Sequence, residues 1–385
     1  MSLAIAGMGW VTPLGSGIDS VWEELLDGHE ASATTISEKF GDRSYSVFRV
    51  PESAMAGSAH PRLRRASVIS RFAAVAGLDA LRGAGVELGS QNAERTALIF
   101  AISNGGVIYT KRFYSDIVDA GAQSASPLLF PETVYNAPAS HLAAILGITG
   151  ASYTLVGDGA VGLAAIKMAE DLMANETLDH CLVVGTEEVD WLVCDAYRRW
   201  RLVRTAPPIE PFSEQQRGML LSEGAGAILL ARLPRHSLAE AGGSPLTIEC
   251  AHPGGCFTKR AEAARIVKRI LTDLGQREID LVISSANGTF VDQAECSALE
   301  QIIPETLVYT AKPALGESIG AAGLWQVILA AKALRCAELP PVLHAPAAIT
   351  LRLSSSRTSL SEAQRAIVLS CGLNQQAAGL RLAIG

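Results

Sequence analysis

Charged side chains are scarce in this chain, and they show no concentration of one sign. Only 18% of the 385 residues are Asp, Glu, Lys or Arg, and 32 basic against 39 acidic side chains give a net charge of −7. Without a run of Lys and Arg, no positive field holds a polyanion at physiological salt. Apolar residues make up 49%, which excludes disorder. We expect a folded globular protein with no nucleic-acid partner.

A long apolar run is also missing. The longest stretch without a formal charge, from about Ala137 to Gly157, is interrupted by Ser140, His141 and several glycines. A membrane span needs about 20 mainly apolar residues, so this stretch is predicted to be buried core. The first residues lack the basic start of a secretory signal. No membrane span and a cytoplasmic location are therefore expected.

Motifs for metals, disulfides and hydrolysis are absent. The seven cysteines are odd in number and scattered, without a C-x-x-C, which argues against a disulfide framework or a zinc site. We expect each to be a small buried hydrophobe. No H-E-x-x-H, Walker sequence, calcium loop or G-x-S-x-G occurs. No metal or cofactor is predicted.

What the chain does contain is an alternation of β-forming runs with helix-period segments, which favours a layered α/β fold with buried sheets. The strand candidates are Ala97–Ile102, Tyr153–Val156, Cys181–Val184, Leu246–Ala251, Ile279–Ile283, Leu307–Thr310 and Ala366–Ser370. Helical periodicity follows Gly159 and covers Ile319–Leu334. Pro- and Gly-rich sequence at Leu233–Pro245 breaks the pattern. Two similar halves are predicted, 1–233 and 244–385.

The segment Gly157-Asp158-Gly159-Ala160-Val161-Gly162 matches G-x-G-x-x-G between a strand and a helix. A dinucleotide site is one interpretation, but Asp158 places a carboxylate where phosphate belongs, and the next acidic residues lie 25 positions after Gly162 instead of about 20. The favoured interpretation is a tight strand-to-helix turn in which Asp158 caps the helix.

Several collinear stretches carry a family resemblance. The opening Ala4–Gly15 resembles the start of β-ketoacyl-acyl-carrier-protein synthases of the thiolase superfamily. Further stretches are similar to signatures of the same family in the same order: Pro131–Asn136, Pro211-Phe212 with Arg217-Gly218, Ser222–Gly226, Asp292-x-x-Glu295, Lys312, and Gly316-x-x-x-Gly320-Ala-Ala-Gly323. The resemblance implies a thiolase-like five-layered αβαβα fold with two pseudo-symmetric halves.

The resemblance also shows which functional groups are missing. The family uses a Cys at a helix N-terminus and two His. Gly159 stands at the Cys position, Asn287 at the first His and Glu317 at the second. In the oxyanion and gate segment, Cys371, Gly372 and Leu373 belong to a stretch that replaces a Phe/Gly-rich one. Neither Asn287 nor Gly159 can form an acyl thioester or shuttle a proton near neutral pH, and Glu317 would normally be an anion where the family's reaction develops negative charge.

Other matching positions imply supporting roles. Four charged residues at family positions have two interpretations, an ionic network beneath the old site or, as the favoured one, structural support of the second half: Lys312, Asp292, Glu295 and Glu223. The segment that in the family borders the dimer contact and the neighbour's acyl tunnel supplies Phe130, Val134, Tyr135 and Asn136. Its apolar side chains suit an obligate interface.

Three functional hypotheses remain open. The first is a non-catalytic subunit resembling the chain length factors of type II polyketide or aryl polyene pathways, a pseudoenzyme that pairs with an active ketosynthase and meets acyl carrier protein through that complex. The second is an enzyme that uses Glu317, Asn287 and Asp158 for other acyl-thioester chemistry. The third is a homodimeric acyl-binding scaffold.

Overall fold

The computed structural model describes residues 3–38, 42–55, 60–64, 66–87, 90–175, 177–232, 245–275 and 277–385. The break predicted at 233–244 lies outside these residues, so the division of the chain into units at that point stays a prediction.

The part of the chain before this break contains seven of the eleven α-helices among the described residues. Its elements are β1 (Leu3–Thr12), β2 (Gly15–Ser16), α1 (Ile18–Leu26), β3 (Ala33–Ser37), β4 (Ser44–Phe48), α2 (Val68–Gly83), α3 (Ser90–Ala93), β5 (Thr96–Ile102), α4 (Val107–Ala120), α5 (Ala137–Leu146), β6 (Ser152–Val156), α6 (Val161–Met173), β7 (His180–Glu187), α7 (Trp191–Arg199) and β8 (Gly224–Arg232). A short 3-10 helix at Phe130–Thr133 precedes α5.

The part after the break repeats this alternation with fewer residues. Its elements are β9 (Leu246–Cys256), α8 (Ala263–Leu274), β10 (Leu281–Ile283), α9 (Phe290–Ile302), β11 (Leu307–Tyr309), α10 (Lys312–Leu315), α11 (Ala322–Cys336), β12 (Glu338–Leu339), β13 (Thr358–Ser359), β14 (Arg365–Cys371) and β15 (Gln376–Ile384).

The strand order shows the internal symmetry. The path runs β11-β10-β14-β15-β9-β1-β8-β7-β5-β6. Each half contributes five strands to this path. Numbered in chain order within the half and read outwards from the centre, they follow the order first, fifth, fourth, second and third in both halves. The halves join where β1 pairs with β9, at Leu3 opposite Ile248 and Ala4 opposite Thr247. The predicted pseudo-symmetric halves are therefore present.

Alternation along each strand produces the layers. In β5, Ile99 and Ala101 face a central core with α6 and α11, whereas Leu98 and Phe100 face an outer core with α2 and α5. On the other side of the central core, the second half of the sheet is covered by α8 and α9. The succession is helix, sheet, helix, sheet, helix, which confirms the five-layered thiolase-like fold.

The two central helices approach closely because small residues face each other. A Cβ at Gly162 of α6 would lie 3.3 Å from the Gly323 Cα of α11. This contact confirms that the glycines of the Gly157–Gly162 segment serve close packing. It also brings the start of α6 beside the second half, where the candidate site is formed.

The structure agrees with the predicted strands and corrects two other expectations. The helix predicted from Ile319 begins at Ala322, after a turn that carries the glycines. The cysteines are not all buried: Cys256 and Cys336 are exposed, although Cys181, Cys194 and Cys371 are buried as expected. Among the described residues, no helix is both long and apolar enough to cross a bilayer.

Candidate functional site

Gly159 lies in the turn between β6 and α6, buried against the second half of the chain. A Cβ at this position would lie 3.4 Å from the Gly372 Cα and 3.8 Å from the Cys371 carbonyl oxygen, which is ordinary contact. The Ser370 hydroxyl donates a hydrogen bond of 2.6 Å to the Gly159 carbonyl. Gly159 therefore offers no reactive side chain where the resemblance predicts the nucleophile, and the chain from 370 to 372 lies directly against it.

Asp158 does not cap α6 as predicted. The N-cap is Ala160, and no side chain bonds to that helix end as a cap. Asp158 Oδ1 accepts only a long 3.4 Å bond from the Ala160 N–H, whereas Oδ2 accepts bonds of 2.8 Å and 3.2 Å from the N–H groups of Asn374 and Gln375. A carboxylate fixed within the turn repels a phosphate there, which argues against a dinucleotide at this turn.

Asn287, Glu317 and Lys312 form one buried hydrogen-bonded chain. The Asn287 amide Nδ2 donates to Glu317 Oε2 at 2.6 Å, and Lys312 Nζ lies 2.5 Å from Glu317 Oε1. On the other side, the Thr289 hydroxyl donates to Asn287 Oδ1 at 2.7 Å. All four side chains are buried. The structure therefore brings Asn287 and Glu317, which the resemblance aligns with the family's two histidines, into direct contact.

The backbone positions Glu317 by means of the preceding residue, Gly316, where only glycine fits. Gly316 has φ +75°, and a Cβ there would lie 2.8 Å from the Ser222 Cβ and 2.9 Å from the Phe48 ring. Immediately after it, Glu317 N donates to the Leu220 carbonyl and Glu317 O accepts from Ser222 N, each at 2.9 Å. These constraints hold the carboxylate against the Lys312 ammonium.

This arrangement leaves little capacity for proton transfer. One Glu317 oxygen bonds Lys312 and the other bonds Asn287. The Lys312 ammonium therefore balances the negative charge of the carboxylate. The Asn287 amide does not titrate near neutral pH. A general acid or base needs a free position beside the proton it moves. The role that this geometry supports for Lys312 and Glu317 is a structural ion pair.

The predicted ionic network of Lys312 with three other carboxylates is wrong, because Lys312 pairs with Glu317. Asp292 instead accepts backbone N–H bonds from Phe212 and Asn287, both at 2.7 Å, and from Gly288. These bonds fix the Asn287 backbone. Burial raises the pKa of Asp292 to about 6, although the backbone donors oppose the shift.

Glu295 is held by hydroxyl groups. It accepts hydrogen bonds from the hydroxyls of Ser284 and Ser285, and burial raises its pKa to about 7. The Ser285 hydroxyl also accepts a 2.8 Å bond from the Cys371 N–H. Sequence reasoning missed these serines because no motif marks them, yet Ser285 links Glu295 to the gate segment.

Glu223 lies apart from this group. Its two oxygens accept N–H bonds of 3.3 Å from Val50 and Val189, and burial raises its pKa while nearby Arg49 opposes the rise. Sequence reasoning also missed the structural role of Glu187, which accepts N–H bonds from Ser103 and Asn104 and whose pKa burial raises to about 8. These two carboxylates fasten loops of the first half.

The gate segment continues from the end of β14 into the hairpin loop before β15. Cys371, Gly372 and Leu373 are all buried. Burial raises the pKa of the Cys371 thiol well above its ordinary value, and the nearby Glu295 and Asp158 add to the shift. The thiol therefore stays protonated and is a poor nucleophile.

The predicted interface residues are on the surface. Phe130, Val134 and Tyr135 are 57%, 41% and 47% exposed, and Asn136 is exposed as well. The Tyr135 ring lies against Gly105, where a Cβ would be 2.8 Å from it, and the Phe130 ring packs 5.8 Å from that of Phe113 in α4. Large apolar side chains thus face outwards from an ordered segment.

Neighbouring elements extend this exposed surface. In α4, Tyr114 and Val118 are exposed, and β6, the last strand in the sheet order, exposes Tyr153 and Val156. We call the surface formed by α4, β6 and 128–136 the apolar face. Within the described ranges, no cluster of three metal-ligating side chains occurs.

Comparisons with known proteins agree over nearly the whole chain. The family model described as "Beta-ketoacyl synthase, N-terminal domain" matches residues 2–236, and "Beta-ketoacyl synthase, C-terminal domain" matches residues 238–346. "Nodulation protein E" of Rhizobium leguminosarum bv. trifolii is 24% identical over 364 residues, which are 89% of this chain and 88% of that protein.

Solved structures show the same fold. A beta-ketoacyl synthase from Burkholderia phymatum STM815 superposes with a TM-score of 0.86 at 19% identity, covering 100% of this chain and 99% of that one. The ishigamide ketosynthase/chain length factor superposes with a TM-score of 0.85 at 21% identity and the same coverage. At these identities the likeness establishes the architecture.

Proposed function

This chain belongs to the β-ketoacyl synthase family, and on that premise we propose that it is a ketosynthase-like subunit without condensing activity of its own. The observation that carries the proposal is the closed set Asn287–Glu317–Lys312 beside Gly159. The backbone frame of the family is kept, while each position that performs its chemistry holds a group that cannot.

The proposed role is that of a chain length factor in a polyketide, aryl polyene or fatty-acid-like pathway. Such a subunit stabilises an active ketosynthase and shapes the tunnel that receives the growing acyl chain. Acyl carrier protein would meet the complex, with the ketosynthase performing the transfer. A structural neighbour that is a ketosynthase/chain length factor supports this proposal.

The apolar face supports a partner of the same fold. Leu128 and Val118 are 70% and 81% exposed, a cost in water that an interface removes. Among the described strands, β6 has a β partner on one side only, which leaves backbone N–H and C=O groups for a strand of the partner. We expect an obligate contact larger than about 2,000 Å².

The test is co-expression with a ketosynthase that has an intact Cys and His set and is encoded beside this chain, followed by native mass spectrometry. A one-to-one heterodimer is expected. A monomer at micromolar concentration contradicts the proposal, and a homodimer that ignores the ketosynthase favours a scaffold protein.

Product analysis of the heterodimer then tests the tunnel role. Tyr135→Ala is expected to lengthen or broaden the product distribution, because Tyr135 stands on the face that meets the partner. Gly159→Ala is expected to leave products unchanged, since its Cβ meets only ordinary contacts. Trp200→Ala is the matched control: Trp200 is 48% exposed, but it packs on Tyr197. Loss of product in Gly159→Ala alone would contradict the proposal.

A further inference from the structure

The hairpin loop between β14 and β15 lies on the turn that precedes α6. We call its residues 372–375 the gate loop. The Ser370 hydroxyl and the Cys371 carbonyl approach Gly159 from the strand that leads into this loop. Beyond the turn, Asn374 and Gln375 have exposed side chains, so side-chain burial does little to hold this end of the loop.

Two backbone contacts hold this end: a 2.7 Å bond that the Phe257 N–H donates to the Gln375 carbonyl, and the bonds from the loop to the Asp158 carboxylate. Of the three backbone N–H groups that Asp158 accepts, two belong to the gate loop, at Asn374 and Gln375, and these are the two shorter bonds. Bonds from N–H groups to a charged carboxylate are about twice as strong as neutral ones. Opening the gate loop would leave the carboxylate with the single long bond from Ala160.

The shapes of Asp158 and Gly372 are complementary. A Cβ at Gly372 would lie 1.9 Å from Asp158 Oδ1 and 2.3 Å from its Cγ, closer than any real contact. The carboxylate therefore fills the volume that any other residue at 372 would need. Gly372 has no positive φ, so contact with Asp158 is the reason that the position requires glycine.

The electrostatic surroundings make this contact two-sided. Burial raises the pKa of Asp158, and the Glu317 carboxylate adds to the rise. An ion disfavoured in this way depends on its N–H donors. The gate loop depends on Asp158 in order to remain closed. Asp158 in turn depends on the N–H donors of the gate loop in order to remain ionised.

We propose that Asp158 is a built-in anion that latches the gate loop shut over Gly159, so that the turn before α6 is closed to any ligand. This contact lies within one chain and holds whether the partner is a ketosynthase or a second copy.

Cys371 is a natural reporter of the latch, because it is buried where the gate loop begins. The full-length protein is treated with iodoacetamide, and labelling of each cysteine is followed by peptide mass spectrometry. We expect Asp158→Ala to label Cys371 about tenfold faster than wild type, from the loss of two charged hydrogen bonds. Asp158→Asn should lie between the two. The control Asp190→Ala, which removes a cap of α7 at Leu192 N, should leave Cys371 unchanged.

Equal labelling of Cys371 in wild type and Asp158→Ala would overturn the proposal. So would faster labelling that extends equally to the buried Cys181 and Cys194, because Asp158 would then support the whole fold rather than the loop. Hydrogen exchange on the wild type gives an independent measurement: the Asn374 and Gln375 amides should be protected, and exchange at free-loop rates contradicts the latch.

A second variant tests the contact itself. Gly372→Ala places a methyl group on the carboxylate and should release the gate loop, again with about tenfold faster labelling of Cys371. In the Asp158→Ala background the methyl group has room, so Gly372→Ala should add less than about twofold. Effects that multiply would show that the two residues act independently and would overturn the proposal.

Discussion

Removing both members of the buried pair Lys312–Glu317 should cost less than the sum of the costs of removing each one alone. The two side chains are 6% and 4% exposed, with 2.5 Å between Nζ and Oε1. Glu317→Gln leaves the Lys312 ammonium buried without an anion, and Lys312→Met leaves the carboxylate with the Asn287 amide alone. Each single change should lower the free energy of unfolding by about 3–5 kcal/mol.

The double variant Lys312→Met/Glu317→Gln buries no charge. Its cost should therefore be smaller than the sum of the single costs by at least about 2 kcal/mol. Urea titration followed by circular dichroism measures the three differences. The pair Arg357–Glu338, whose side chains are 47% and 35% exposed and lie 2.7 Å apart, is the control and should show coupling below about 1 kcal/mol.

Additive costs at Lys312 and Glu317, or single costs below about 1 kcal/mol, would refute the reasoning. They would mean that the pair is hydrated or free to move. Glu317 would then be available as a base, as the hypothesis of an enzyme with Glu317, Asn287 and Asp158 requires.

Three further outcomes are expected. Incubation with acyl-loaded carrier protein or a cerulenin-type inhibitor should leave the intact mass unchanged, and Gly159→Cys alone should not produce condensation, because Asn287 and Glu317 supply no imidazole; a stoichiometric adduct near Gly159 in the wild type would contradict this. NAD(H) at millimolar concentration should give no thermal shift, whereas a true site at 100 times its dissociation constant would add about 2.7 kcal/mol. Burial raises the pKa of Glu295 to about 7 in the folded state, which therefore binds the proton more tightly than the unfolded chain does. The free energy of unfolding should thus fall as pH rises from about 5 to about 8, and Glu295→Gln should flatten that fall while the exposed Glu305→Gln does not.

Seven strands were predictable because strands of this sheet are short apolar runs between turns, whereas β1, β8 and β15 were not predicted. Ala97–Ile102 was predicted and is Thr96–Ile102 in the structure. The start of α11 was placed too early because Ile319 continues the apolar rhythm. The turn that contains it is set by Gly320, where a Cβ would lie 2.2 Å from the Thr186 carbonyl oxygen, and this close approach is a tertiary contact.

The proposed loss of the family's functional groups rests on the sequence alone, since a residue type limits what a position can do chemically. Gly159 carries no side chain, and Asn287 carries no titratable group. No conformation changes either fact. The apolar character of 128–136 was likewise predictable from composition, and the structure adds that these side chains face outwards.

Partners of the polar side chains were decided only by the tertiary structure. Sequence spacing could not tell that Lys312 pairs with Glu317 rather than with Asp292, or that Asp158 bonds a loop more than 200 residues away instead of its own helix. Hydrogen bonds depend on ångström distances between groups far apart in the chain. Chemistry that is absent can be read from residue types alone, but the contacts that replace it exist only after the two halves have packed together.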